Sequence, residues 1–177
     1  DGVKPLAWKY RDWVIGALNS DRPYDRFVTE QLAGDEIAGA TTESILATGF
    51  HRVGPWDAER GASVQKSEVI AELFNELDDM VSTTSQVFLG LTMGCARCHD
   101  HKFDPLTARD YYSMVAVFRG LKREHKGRAE LARAALPPVQ LAGKDLKSQP
   151  QGYFFFEPSP TPPVTHLLKR GNPNQPG

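Results

Sequence analysis

The sequence predicts a mainly α-helical, irregular fold that ends in a Pro-rich, partly extended C-terminal connector. Apolar residues recur at helical spacing through most of positions 1–120, and helix-capping or helix-breaking residues separate these segments. Most of the 13 prolines lie beyond position 120. With 177 residues, 40% of them hydrophobic, the chain is large enough to bury a sizeable core.

Three helices are predicted in the first 50 residues. Asn19–Asp21 ends the first, Pro23 suits the first turn of the second, and Gly34 ends the second. A short helix over 43–48 follows, and the breakers in 49–61 predict a loop. One face of the first helix is apolar and consists of Leu6, Tyr10, Trp13, Val14, Ala17 and Leu18.

A long central helix is predicted to begin near Ser67. Polar residues at 78–79 and 83–85 interrupt its apolar face, so we expect a kink there. A further helix begins at Thr107, which forms a capping box with Asp110. The apolar positions of the central helix are Ile70, Leu73, Leu77, Met80, Val81, Phe88 and Leu91.

The chain changes character after Gly120, which closes the last predicted helix. Residues 1–120 are predicted to form one helical domain. Residues 121–177 are predicted to be a connector and the entry to a following domain that this chain does not contain. Within the connector, 164–168 is predicted to be a strand.

The motif Cys95-Ala96-Arg97-Cys98-His99 carries most of the functional information. Cys-x-x-Cys-His is the pattern of c-type haem attachment, and the chain has 2 cysteines, both inside it. Each thiol can add to one vinyl group of a porphyrin, and the adjacent imidazole then becomes an axial ligand of the iron. The motif predicts one covalently attached haem c and an irregular helical, c-type cytochrome-like domain.

Two other interpretations of the same residues stay open. A dithiol redox site or a disulfide needs only the two cysteines. Zinc could use Cys95, Cys98, His99 and His101, although structural zinc sites usually take their second pair of ligands from a distant segment.

Within the haem interpretation, Cys95 and Cys98 form the thioether bonds and His99 is the proximal iron ligand. Arg97 is the first candidate to bind a haem propionate, and Lys102 is the second. We expect Asp104 or a backbone carbonyl to accept the hydrogen bond of the second His99 nitrogen.

The distal ligand decides between electron transfer and chemistry at an open iron site. We place His166 first, Met114 second and the absence of a protein ligand third. The histidines and methionines considered are Met80, Met93, Met114, His51, His101, His125 and His166.

Composition limits the partners. There are 21 basic and 22 acidic side chains, so the net charge of −1 gives no general attraction for nucleic acid. No run of 18 apolar residues predicts a transmembrane segment. Because covalent haem attachment takes place outside the cytoplasm, the motif predicts a periplasmic or otherwise extracytoplasmic protein. The sequence begins at Asp1 without a leader, which is typical of a processed chain or a fragment.

Three stretches of the chain, Leu18–Phe27, Gln31–Asp35 and Thr83–Pro105, resemble a planctomycete-type cytochrome-c-like domain of unknown function. A fourth stretch, Thr165–Asn172, carries a further resemblance. In that family a second uncharacterised domain generally follows, and the last stretch resembles its entry. The resemblance implies an extracytoplasmic, haem-bearing modular protein and supplies no reaction.

Taken together, the sequence predicts single-electron transfer, with a redox partner protein or the following domain as partner. The first alternative is a haem-dependent redox enzyme module that acts on an organic or glycan substrate. The second is an interaction domain held together by zinc.

Overall fold

The computed structural model describes residue 4 and residues 6–54, 65–121 and 159–177. These residues are mainly α-helical, which confirms the predicted fold class. They fall into two compact units, one with residues 4–54 and the other with residues 65–121 and 159–177. The proposed domain boundary at position 120 stays a prediction.

The first unit contains four helices, α1 (Ala7–Asn19), α2 (Tyr24–Ala33), α3 (Thr42–Ala47) and α4 (Gly49–Arg52). The first three confirm the predicted helices to within about two residues. Helix α4 occupies positions predicted to be loop, because Thr48 and Gly49 continue the hydrogen-bonded turns of α3 into another short helix. The rest of that predicted loop, 55–61, lies outside the described residues.

Aromatic stacking forms the core of the first unit. The Trp13 ring lies between Tyr10 and Phe27, with centroid distances of 6.2 and 5.4 Å. Trp13 and Ala17 pack on Ala47, with Tyr10 and Val14 partly buried against them, as the predicted apolar face of α1 requires. Leu18, assigned to the same face, is 67% exposed, so its assignment is wrong.

The second unit is built on helix α5 (Lys66–Thr84), which continues as a π-helical turn (Ser85–Leu89). Asp78–Asp79 does not interrupt the helix. The irregularity expected near 83–85 is a change from α-helical to π-helical structure at Ser85. Gly90, with φ of 67°, ends the π-helical turn. Leu73 is 38% exposed, and Phe74 takes the core position that the sequence assigned to Leu73.

The motif follows on a short 3₁₀ helix, Met93–Arg97, and helix α6 (Ala108–Arg119) comes after it. Thr107 and Asp110 form the predicted capping box at the start of α6. Helices α5 and α6 and the 3₁₀ helix pack against one another around Tyr111, Val115 and Val81, which are almost fully buried.

The described C-terminal residues contain one isolated bridge, between Leu168 and Pro176, and a 3₁₀ turn at Lys169–Gly171. The prediction of a strand over 164–168 is therefore wrong. The residues up to Leu168 have no neighbouring strand with which to pair among the described residues. No helix in the described part of the chain is long and apolar enough to cross a membrane.

Candidate functional site

The two cysteines lie at the end of the 3₁₀ helix. Cys95 is inside it, and Cys98 is the residue that follows its last turn. Both thiols are free and exposed. Two accessible sulfurs three positions apart in the chain are what double attachment to a single porphyrin requires.

Hydrogen bonding fixes the tautomer of His99. Its Nδ1 lies 2.8 Å from the carbonyl oxygen of Asp100. A carbonyl only accepts, so Nδ1 carries the proton and donates it. The exposed Nε2 therefore keeps its lone pair and is available to a metal. Of the two expected acceptors for His99, a backbone carbonyl is the one observed.

His101 is held in a different way. Its Nδ1 accepts from the backbone amides of Asp104, at 2.9 Å, and Phe103, at 3.3 Å. Nε2 then carries the proton and donates to the Thr92 hydroxyl at 2.9 Å. The Asp104 carboxylate lies 3.3 Å from Nδ1, but an ion pair there would need a proton where two amides already donate. His101 thus ties the loop together with both nitrogens.

Asp100 also has a structural role. Its Oδ1 accepts from the backbone amide of Ala108 at 2.8 Å, so it holds the first turn of α6 beside the motif. Together with the bonds of His101, this contact fixes the loop that follows His99.

Arg97 faces helix α5. Its guanidinium lies 3.3 Å from the Asp78 carboxylate and donates to the Asn75 side chain at 3.1 Å. Asp78 also accepts from the buried Tyr111 hydroxyl, and burial together with this bond raises the pKa of Tyr111 well above its usual value. These contacts anchor the motif to α5. The predicted propionate contact of Arg97 stays a prediction.

Gly94 brings the 3₁₀ helix close to α5. A Cβ at this position would lie 2.5 Å from the Ser82 hydroxyl oxygen, so only glycine fits without a shift. The close approach places Cys95 directly beyond the contact with α5.

Lys102 is exposed, and its ammonium lies 5.1 Å from the Phe103 ring centroid. Phe103 is itself 82% exposed, and Val87 and Leu89, just before the motif, are 56% and 57% exposed. Exposed apolar side chains just before and just after the motif in the chain are typical of a surface that a large apolar group covers.

The distal candidates are separated by the structure. His166 is exposed and Met114 half-buried, both in the same unit as the motif. Met80 and Met93 are buried in the core, and His51 is buried in the first unit. His125 lies outside the described residues.

The zinc alternative finds no support in the positions of the donors. Within residues 4, 6–54, 65–121 and 159–177, no three His, Cys, Asp or Glu side chains come together as a cation site. The two cysteines are also not joined to each other.

An open groove of about 570 Å³ lies in the first unit, and Trp8, Trp13 and Glu43 are among the residues that line it. No residue of the motif lines it. We place the candidate site at the motif because the free thiols and the available imidazole nitrogen lie there.

Sequence reasoning missed the residues that support the motif. They are Asn75, Asp78, Thr92, Tyr111, Tyr112 and Gly171. Their contacts come from chain segments up to about 70 residues away, and no local pattern signals them. Thr92 and Gly171 stood in recognised stretches, where they had no role assigned.

Residues 1–123 match the family model PSCyt2, described as a protein of unknown function (DUF1549). This match confirms the resemblance to a planctomycete-type domain of unknown function. No curated protein and no solved structure matches the chain.

Proposed function

Because the chain belongs to the PSCyt2 family, whose function is unknown, we propose a function from its own residues: covalent binding of one haem c and single-electron transfer. The observation that carries the proposal is the set of three groups in the motif. Two free, exposed thiols lie at the end of the 3₁₀ helix, and the adjacent imidazole keeps its Nε2 lone pair accessible. A haem bound in this way supplies a one-electron Fe(III)/Fe(II) couple.

The residues present fit such a group. Cys95 and Cys98 hold the porphyrin edge through thioethers, and His99 Nε2 ligates the iron. The Asp100 carbonyl keeps the His99 ring in one orientation through Nδ1. Phe103 and Leu89, exposed just after and just before the motif, would offer apolar surface to a porphyrin bound there.

Arg97 acts through the backbone. Its side chain is committed to Asp78 and Asn75, and its carbonyl accepts from the Tyr112 hydroxyl at 2.9 Å. These contacts hold the turn between the two cysteines rigid, which keeps the sulfur positions fixed. Lys102, exposed beside Phe103, is free of such a salt bridge among the described residues, so we propose it as the propionate partner.

For the distal position we propose His166, with Met114 as the second candidate. His166 lies two residues before the buried Leu168 and five before Gly171, which packs on Cys98. The segment that carries His166 is therefore held beside the motif. Met114 lies on α6 but is half-buried.

Visible spectra of the matured protein test this proposal. We expect a haem absorbance that survives acidic organic extraction, and a low-spin reduced spectrum that carbon monoxide does not change. His166→Ala is expected to open the iron to carbon monoxide, and Met114→Ala serves as the matched control. A colourless protein, or haem lost on extraction, would contradict the proposal.

A redox partner or a following domain as electron acceptor, and an extracytoplasmic location, are part of the same proposal. Both depend on covalent haem, because attachment takes place outside the cytoplasm. If wild-type protein binds carbon monoxide, the haem-dependent enzyme becomes the better interpretation.

A further inference from the structure

The last eleven residues, Leu167–Gly177, form a closed turn that we term the C-terminal clasp. Its two ends meet where the Gly177 amide donates to the Leu167 carbonyl at 2.7 Å, and Leu168 bridges Pro176. Inside this turn, the backbone amide of Lys169 donates to the backbone carbonyl of Gln175 at 2.9 Å. The clasp therefore has a defined shape of its own.

Gly171 of the clasp lies against the haem-attachment motif. A Cβ at Gly171 would be 2.7 Å from the Cys98 sulfur and 3.3 Å from Cγ of Arg97. Gly171 is buried and has φ of 72°, a conformation that strains any residue with a side chain. Glycine is required here both by the backbone conformation and by the space beside the thiol.

Burial of Leu168 also seats the clasp. Leu168 is 9% exposed, and its backbone lies near the Tyr112 hydroxyl, which donates to the Arg97 carbonyl at 2.9 Å. Tyr112 therefore lies where α6, the motif and the clasp meet.

The clasp restricts the direction of the Cys98 thiol. One torsion angle, about the Cα–Cβ bond, sets the position of a cysteine sulfur. Backbone that packs against the sulfur excludes part of the range of this angle. The other side of Cys98 stays exposed.

We propose that the C-terminal clasp is a positioning element for haem attachment, and that Gly171 sets the direction from which the Cys98 sulfur reaches the porphyrin. The inference rests on the proposed haem function. In the step concerned, the Cys98 S–H adds across a vinyl C=C bond. Sulfur bonds to the carbon next to the ring and the proton goes to the terminal carbon, so no oxidant or leaving group is needed.

The haem-free chain gives the first test. We expect Gly171→Ala to raise the rate at which a maleimide alkylates Cys98 several-fold relative to Cys95, measured on the two residues by peptide mass spectrometry. The added Cβ forces the clasp away from the sulfur, which becomes more accessible. Gly39→Ala is the matched control, because Gly39 has φ of 75° and no atom within 4 Å of an added Cβ. Equal Cys98-to-Cys95 ratios in the two variants would overturn the proposal.

The matured protein gives the second test. Gly171→Ala is expected to accumulate haem bound through Cys95 alone, with one vinyl group retained and the reduced pyridine haemochrome band moved to longer wavelength. Two complete thioethers in Gly171→Ala would overturn the role of the clasp and leave the proposed function intact. An unmodified wild-type chain would overturn both.

Tyr112→Phe keeps the inference testable if Gly171→Ala does not fold. It retains the ring and removes the hydroxyl that donates to the Arg97 carbonyl and lies near the Leu168 backbone. We expect Tyr112→Phe to raise the Cys98-to-Cys95 alkylation ratio and to accumulate haem bound through Cys95 alone, both to a smaller extent than Gly171→Ala. Circular dichroism confirms that each variant is folded, and an unchanged ratio in folded Tyr112→Phe would contradict the seating of the clasp.

Discussion

The Tyr111 hydroxyl donates a 2.6 Å hydrogen bond to the Asp78 carboxylate, which joins helix α6 to the middle of helix α5. The other Asp78 oxygen lies 3.3 Å from the Arg97 guanidinium. Asp78 therefore connects three elements of the second unit, and the motif takes its position from this carboxylate.

Tyr111→Phe tests that connection. Removal of the buried hydroxyl leaves Asp78 with one partner fewer, and we expect a loss of about 1–2 kcal/mol in the free energy of unfolding. Chemical denaturation measures it. Tyr24→Phe, at an exposed tyrosine, is the control. Equal stability of the two variants would show that the hydrogen bond contributes nothing net.

Gly94→Ala tests the close approach between the 3₁₀ helix and α5. The added Cβ meets the Ser82 hydroxyl oxygen at 2.5 Å, and we expect a destabilisation of about 1–2 kcal/mol from overpacking. Gly16→Ala, in α1 with no neighbour within 4 Å, is expected to stabilise by about 0.5–1 kcal/mol.

A double-mutant cycle separates this contact from backbone effects. Ser82→Ala removes the oxygen that an added Cβ would meet. In that background Gly94→Ala is expected to be close to neutral in thermal unfolding. If Gly94→Ala destabilises the Ser82→Ala protein as much as it destabilises wild type, the contact with the Ser82 hydroxyl is not the cause of the destabilisation.

His51 predicts a pH dependence. Burial lowers the pKa of His51 from its ordinary 6.5 to about 4. Below pH 6.5 the unfolded chain takes up a proton that the folded chain does not, so stability is complete above pH 6.5. It falls as the pH drops towards 4, by up to about 3 kcal/mol.

His51→Gln is expected to remove this pH-dependent contribution. The difference in the free energy of unfolding between wild type and His51→Gln should therefore become smaller as the pH falls from 6.5 towards 4. Urea unfolding between pH 4 and 7.5, followed by tryptophan fluorescence, measures it. The measurement uses the haem-free chain, and His166→Gln, at an exposed histidine that has no iron to bind there, is the control. Parallel curves for wild type and His51→Gln would contradict the assignment.

The two histidines of the motif region are expected to respond differently. His99→Ala removes the proposed proximal ligand and should abolish the low-spin spectrum. His101→Ala removes three hydrogen bonds within the loop, and should cost about 1–3 kcal/mol of stability but leave the low-spin spectrum in place. Loss of that spectrum in folded His101→Ala alone would reverse the two roles.

The sequence was sufficient for the helices, because their signals are local. The apolar face of α1, Pro23 before α2 and the Thr107–Asp110 capping box each act within a few residues, and each predicted its helix. Helix α4 was missed because Gly49 suggested a loop. Leu73 was predicted to be a core residue, but the next residue, Phe74, is buried in its place. The buried face of α5 at this point is therefore rotated by one position from the predicted face.

The supporting contacts of the motif could not be predicted in this way. Tyr111 and Asp78 are 33 positions apart, and Gly171 reaches Cys98 only when the C-terminal residues fold back. Pairing at such distances depends on tertiary packing. The motif itself was recognisable because haem attachment needs three residues at fixed local spacing.

Intact mass under denaturing conditions, on protein matured in a host that attaches haem, is the most direct test of the central claim. A covalent porphyrin survives unfolding, so we predict wild-type protein heavier than its sequence by one haem and an unmodified Cys95→Ser/Cys98→Ser double variant. Wild-type protein with the mass of the bare polypeptide would contradict the claim.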